Sequence, residues 1–474
     1  MAHTTKMASP TVGKHLRKIP VSSAMISVNS LLAFSFLLFH HCYGFAVNNG
    51  TAVTSKILAE DHAKKIIQHI LHGNGKHQTY NRLAHFVDKF GYRITGSDNL
   101  ENSIDYMLHH LQSEGLDNVH GESVWVRPWV RGEESAHMLE PRLQKLSLLG
   151  LGSSIRTPPE GITAEVIVVK SFEELRNRSE EAKGKIVVYN EEWVTYGTSV
   201  QYRTRGATEA AKVAAVASLV RSVTPFSIYS PHTGHQSYDA NVKKIPTACI
   251  TVEDVAMLQR MAERGEKIVI NLKMSAKYKR PRRSRNVVAE IVGHKFPEEV
   301  VLVSGHLDSW DVGQGAMDDG GGAFISWEVL TVLKKLKLRP KRTIRLVLWT
   351  GEEEGIIGGQ EYFRRHHSNI SNFDMVMESD SGVFTPNAVS FQGNKVATAI
   401  MKRIVRPLKP LNVSMITGDF DGPDIDVWAD AGVPAVALRT TDPEKYFWFH
   451  HSNGDTMSVL NPMLSICVLL FGQS

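Results

Sequence analysis

The 474-residue sequence predicts an α/β fold: a mixed β-sheet sandwiched by helices, with a smaller α/β domain inserted into the chain. Three observations predict it. From Asn286 onward, short apolar runs alternate with helix-like stretches. Several of those runs lead into His, Asp or Glu, and in α/β sheets ligands bind beyond the carboxyl ends of strands. The middle of the chain, about 150–280, has its own rhythm of short strands and an Ala-rich helix.

In order along the chain, residues 1–44 carry a basic region (Lys14, Arg17, Lys18), an apolar run at 31–39 and a small-residue exit near Gly44. That is the layout of a secretory signal peptide, and the run is shorter than the roughly 20 residues that span a bilayer. A signal anchor is the rival reading of this segment, and no other stretch is apolar enough to insert stably in a membrane. Residues 55–74, rich in Ala, Ile and Lys, read as a short helical cap or pro-segment, and 79–116 read mainly as helix. Residues 123–130 alternate like a strand that Pro128 keeps at a sheet edge, and 131–135 form a polar break.

In the middle region, 164–169, 185–189 and 268–274 read as strands, and 208–218 as helix. Residues 251–264 read as a second helix, with Thr251 as N-cap and Asp254 at the capping-box position. The basic run from Lys277 to Arg285 reads as a solvated linker. Beyond it, strands are expected at 287–292, 300–304, 343–349, 373–377, 389–392 and 433–438, with helices at 322–336, 358–366 and 397–408.

Composition narrows the function. Hydrophobic residues make up 42% and charged residues 22%, a globular balance, and a formal charge of +5, partly in the leader, does not call for nucleic acid. The cysteines, Cys42, Cys249 and Cys467, form no disulfide framework and no Cys-rich metal site, so any zinc must be held by His and carboxylates. Four Asn-X-Ser/Thr triplets, at Asn49, Asn177, Asn369 and Asn412, are glycan acceptors if the chain is secreted.

The chemistry lies in five segments. Residues 300–304 run into His306-Leu307-Asp308, and 343–349 into Glu352-Glu353-Glu354. Residues 373–377 run into Asp380, Asp318-Asp319-Gly320 opens a helix, and 433–438 leads to His450-His451 and Asp455. Alone, a His after a strand, an acidic cluster or an Asp-Asp-Gly turn has an ordinary structural explanation. Together, in this order, they resemble the motif set of the dizinc peptidases that include bacterial aminopeptidases and glutamate carboxypeptidases.

The resemblance implies two Zn²⁺ per chain, with Asp318 bridging, His306 and Asp380 completing one site, and Glu353 and His451 the other. It implies Glu352 as general base and Asp308, Asp319 and Asp455 as supports: Asp308 for the ring of His306, Asp319 after a cis peptide, Asp455 for the His451 loop. His450 and His451 both qualify by type, and the three-residue spacing before Asp455 favours His451. The remaining histidines, such as His232, His294, His366 and His367, read as surface or structural.

The implied organisation is a signal peptide at 1–44, a pro-segment at 45–75, a discontinuous zinc peptidase domain at 76–145 and 286–474, and a protease-associated-like insert at 146–285. The implied activity is hydrolysis of short peptides, dipeptides with free termini, by a secreted homodimer that also occupies lysosome, endoplasmic reticulum and Golgi. An aminopeptidase of the same family and a non-catalytic receptor on the same scaffold are the alternatives. Arg439, after a strand near the site, is a candidate for binding a free carboxylate. The chain stops soon after Asn461, where relatives continue through a longer final helix, which bears on packing rather than on the ligands.

Overall fold

A computed structural model describes residues 61–460, apart from 63, 64, 71, 406–412 and 419. The leader, the start of the pro-segment, Asn49, Asn412 and the C-terminal stretch lie outside the described residues.

Two eight-stranded sheets organise the chain. The larger runs, edge to edge, Asp117–Val126, Arg282–Ile291, Arg342–Trp349, Phe296–His306, Phe373–Glu378, Ala435–Thr440, Pro386–Gln392 and Ser414–Thr417. Its four central strands, from Arg342–Trp349 to Ala435–Thr440, are mutually parallel, so their carboxyl ends share one edge. They are near-continuous apolar runs because both faces are covered. On one face, Leu346, Val301, Val303 and Met377 pack against Phe324 and Leu330 of helix Gly321–Lys335. On the other, Val300, Leu302 and Val376 pack against Tyr362 and Trp428. Asp117–Val126 is an edge strand; of the strand expected at 123–130 only 123–126 belong to it, and Trp129–Val130, beyond Pro128, pair with Lys277–Tyr278.

The second sheet draws its strands from Glu134–Glu140 through Val269–Met274 and has its own core, including Val188, Leu219, Ile250, Leu258 and Ile270. Ile66 and Ile70, inside the stretch read as a pro-segment, are buried in the core of the larger sheet. Among the described residues no helix is long and apolar enough to cross a membrane.

Three local expectations change. The helix expected at 208–218 is Tyr196–Lys212, capped by the Thr195 hydroxyl, which accepts from Thr198 N, and Ala217–Arg221 is a strand. Alanine richness marked the wrong span: Ala217 is small enough for a crowded strand, while the Thr195 cap starts the helix at the weaker helix formers Tyr196, Gly197 and Thr198. Thr251 caps Val252–Glu263 as expected, but the Asp254 carboxylate accepts from Ser147 N at 3.1 Å instead of closing a capping box. The basic run is largely strand, Lys277–Tyr278 and Arg282–Ile291. Arg282 meets Asp98 at 2.9 Å, and Arg285 meets Glu101 and Asp105 at 3.2 and 2.8 Å.

Candidate metal centre

The shared edge of the four parallel strands carries the site. Phe296–His306 ends on His306; Arg342–Trp349 leads into Glu352 and Glu353; Phe373–Glu378 leads into Asp380. Ala435–Thr440 continues through short helical turns to His450 and His451. The glycine-rich start of helix Gly321–Lys335 brings in Asp318 and Asp319, joined by a cis peptide. Gly322 makes that approach possible, since a Cβ there would lie 1.8 Å from the Ser379 carbonyl oxygen.

The five segments converge. His306 Nε2 lies 3.2 Å from Asp318 Oδ1, 3.6 Å from Asp380 Oδ1 and 3.9 Å from Glu352 Oε2. His451 Nε2 lies 2.9 Å from Glu353 Oε2 and 3.3 Å from Asp318 Oδ2. Asp318 thus turns one oxygen to each group. His450 Nε2 is 3.6 Å from Asp318 Oδ2, and its ring stacks on that of His451 with centroids 3.5 Å apart. His451 makes the closer approach and is the one beside Glu353.

The donor set fits divalent cations. Asp318 Oδ2 and Asp380 Oδ1 are buried without a hydrogen bond. Burial, reinforced by neighbouring acids and opposed by His306, holds Glu352 and Glu353 well above the ordinary carboxylate range and Asp380 at about 6. Burial disfavours charge on His306, yet its hydrogen bond to Asp318 and the nearby carboxylate of Asp380 prevail and lift it well above its usual value. Crowded buried acids interleaved with imidazoles are a surplus of negative charge that cations offset, and oxygen plus imidazole nitrogen is a zinc donor set. Both rings are oriented for that task. The Nδ1 atoms of His306 and His451 face carbonyl acceptors, Asp308 O at 3.0 Å and Thr233 O at 3.2 Å, which turns each Nε2 toward the acids, where its lone pair would serve a bound cation.

The supports differ from expectation in detail. Asp308 holds His306 through its backbone carbonyl, and its carboxylate is occupied elsewhere. It accepts from Gly351 N at 2.9 Å, Glu352 N at 3.2 Å, Glu353 N at 3.3 Å and the Thr95 hydroxyl at 2.8 Å. Three peptide N–H groups and a hydroxyl satisfy a buried carboxylate better than one ring nitrogen, and they shape the loop that presents both glutamates. Asp319 accepts from His306 N at 3.1 Å and Gly322 N at 2.9 Å. Asp455 accepts from Ala316, Met317 and Asp318 N at 3.1, 2.7 and 3.2 Å, so it braces the Asp318 segment from the His451 loop.

Sequence reasoning missed what the smaller sheet contributes. A cavity of about 320 Å³ opens onto Asp318, Glu352, Glu353, Asp380 and His451, and its wall includes Tyr196, Arg203 and His235. His232 is buried and donates from Nδ1 to the His450 carbonyl at 2.6 Å, while Thr233 N donates to the His451 carbonyl at 2.9 Å. No spacing or residue type in this stretch announces the role. His366, by contrast, pairs with Glu122 at 3.0 Å, away from the cluster. Asn177 and Asn369 are exposed.

Known proteins match the same stretch. The model of peptidase family M28 matches residues 286–466. Carboxypeptidase Q of Xenopus laevis is 59% identical over 413 residues, 87% of this chain and 88% of its own. Human carboxypeptidase Q is 59% identical over 402 residues, 85% of each chain. The chain belongs to peptidase family M28. The crystal structure of a peptidase M28 precursor from Shewanella amazonensis superposes with a TM-score of 0.82 at 31% identity, covering 87% of this chain and 94% of that one. A zinc aminopeptidase from Bacillus subtilis shares the fold, with a TM-score of 0.63 at 18% identity over 83% of this chain and 94% of its own. The expected class, a zinc-dependent peptidase, and the expected fold hold with membership of M28.

Proposed function

We propose that this M28 member is a dizinc exopeptidase that hydrolyses short peptides, dipeptides with free termini, as a carboxypeptidase or dipeptidase. The observation that carries the reading is the placement of Asp318, with one oxygen toward His306 and Asp380 and the other toward His451 and Glu353. In this reading Asp318 bridges, His306 and Asp380 hold one zinc, and Glu353 and His451 hold the other. Bound zinc supplies Lewis acidity that polarises the scissile carbonyl and makes the attacking water more acidic.

The chain's own residues do the rest. Glu352 is within reach of the cluster and faces the cavity, where a carboxylate can take a proton from water and give it up again. It removes a proton from the attacking water as the water oxygen bonds to the carbonyl carbon, then delivers that proton to the departing nitrogen as the C–N bond breaks. Asp308 holds the Glu352 and Glu353 backbone, and Asp455 holds that of Asp318. The small cavity, walled by Tyr196 and Arg203 from the insert, favours short substrates. With the leader and sequons, the reading places the enzyme in the secretory pathway and lysosome, as a homodimer. The names of the relatives support carboxypeptidase over aminopeptidase, and a receptor without catalysis has no need for a complete donor set with a base.

The test is Glu352→Gln. Zinc content should stay near two per chain while kcat on dipeptides falls by about 10³-fold. Normal turnover in this variant overturns the assigned base; a wild-type protein without zinc affinity overturns the whole reading.

A further inference from the structure

The chain crosses between the two sheets twice, at 127–133 and 275–281, and the crossings lie side by side as a ribbon. Trp125 and Val126 pair with Arg283 and Arg282 at one end. Trp129 and Val130 pair with Tyr278 and Lys277 at the other, and between them Lys279 N donates to the Pro128 carbonyl at 2.8 Å. Arg127, Lys277, Lys279, Arg280, Arg282 and Arg283 are all exposed on this ribbon. Asp98 takes Arg282, at 2.9 Å. Among the described residues no carboxylate forms an ion pair with the other five. Two of the five are held by aromatic rings. Arg283 Cζ lies 5.4 Å from the ring centre of Trp125, and Arg127 Cζ lies 4.6 Å from that of Tyr278. A guanidinium resting on a ring keeps its N–H edge free, and rotamer freedom is given up before any ligand arrives.

The surplus is local. The whole chain balances 54 bases with 49 acids, yet residues 277–283 hold five bases and no acid. Like charges gathered without acids repel one another, and a bound polyanion offsets that repulsion. At about 3.3 Å per residue the run from Lys277 to Arg283 covers up to about 20 Å, too long for one small anion and suited to a polymer with an anion at every step. Guanidinium forks pair with the planar faces of such oxyanions. We propose that this ribbon is a docking surface for a linear sulfated polysaccharide. The choice of polymer rests on the secretory-pathway reading, since sulfated chains rather than nucleic acids are met there. Trp125 also carries a guanidinium over its ring instead of offering it bare to a bilayer. None of the six cations lines the catalytic cavity, so docking would anchor the enzyme and leave turnover alone.

The experiment measures affinity of the full-length enzyme for immobilised heparin at about 0.15 M salt, with dipeptide turnover and Tm followed in parallel. Wild type should bind. The fourfold variant Arg127→Gln, Lys279→Gln, Arg280→Gln, Arg283→Gln should lose about 30-fold in affinity, a few-fold per contact, with turnover unchanged. A control of equal charge, Lys183→Gln, Lys243→Gln, Lys395→Gln, Lys402→Gln, removes exposed cations elsewhere and should stay near wild type. If the fourfold ribbon variant does not fold, Lys279→Gln with Arg280→Gln, both outside the paired strand residues, carries the test with a loss of about 5-fold. Equal losses in ribbon and control variants mean that net charge alone binds, and overturn the proposal. So does equally tight binding of chemically desulfated heparin, or tighter binding to phosphatidylserine vesicles or double-stranded DNA. A wild type that ignores heparin while hydrolysing dipeptides defeats this inference and leaves the proposed chemistry standing.

Discussion

The two sheets serve one cleft by different means. The larger delivers each donor from the end of a parallel strand or the start of the helix beside it, so Asp308, Asp319 and Asp455 need only tie neighbouring loops together. The smaller reaches the cleft from the middle of a helix and from the irregular stretch around His232 and Thr233. Strand ends make a rigid, densely hydrogen-bonded frame; the insert adds shape and a cation. The donors that suit a cation belong to the frame, while part of the cavity wall comes from outside it.

That contrast can be broken most sharply at Asp308. Asp308→Ala leaves the Gly351, Glu352 and Glu353 N–H groups and the Thr95 hydroxyl without their acceptor. Zinc affinity, measured by chelator competition, should drop 10- to 100-fold or about that. An unchanged affinity would mean that the frame does not depend on its ties.

A matched pair of glycines gives a smaller effect. In Gly322→Ala the new methyl meets the Ser379 backbone carbonyl, which cannot yield, and unfolding free energy should fall by about 3 kcal/mol. In Gly206→Ala, within the insert, it meets the Tyr189 ring at 3.0 Å; the gain in helix propensity, about 1 kcal/mol, offsets the strain and leaves stability near wild type. Urea denaturation of both variants checks the difference, and similar losses would mean that the insert is packed as tightly as the frame.

The smallest expected effect is a shared one. Burial pushes Glu328 in the larger unit and Glu134 in the smaller up to about 7, against the pull of Arg82 and Arg131 respectively. A carboxyl raised in the folded state contributes stability that is fully present below its ordinary value and lost as pH rises through about 7. The urea midpoint should therefore decline between pH 4.5 and 7.5. Glu328→Gln and Glu134→Gln should each flatten part of the slope, and a midpoint that rises over this range would contradict both shifts.

The fold and the donor set were legible in the sequence because both depend on position relative to apolar strands. A His, Asp or Glu just beyond such a run is placed at the sheet edge by the run itself, which is why His306, Glu352, Glu353 and Asp380 were readable. The direction of the Asp308 carboxylate was not, because it is decided by which peptide N–H groups a later loop offers. Nor were Tyr196, Arg203 or Thr233, since a tyrosine and an arginine on a helix, or one backbone carbonyl, carry no pattern until the chain is folded. The helix expected at 208–218 failed for a related reason: residue preference marked alanines, while packing decided where the helix lay.

The double stitch between His232-Thr233 and His450-His451 has a thermodynamic corollary. An outward swing of this part of the insert would drag the 450–451 backbone with it, so displacement of this stretch and affinity for a cation at His451 would be linked. Chelation should loosen the flap at 232–234, visible as faster amide exchange, and prying that flap away should weaken the grip on the ion.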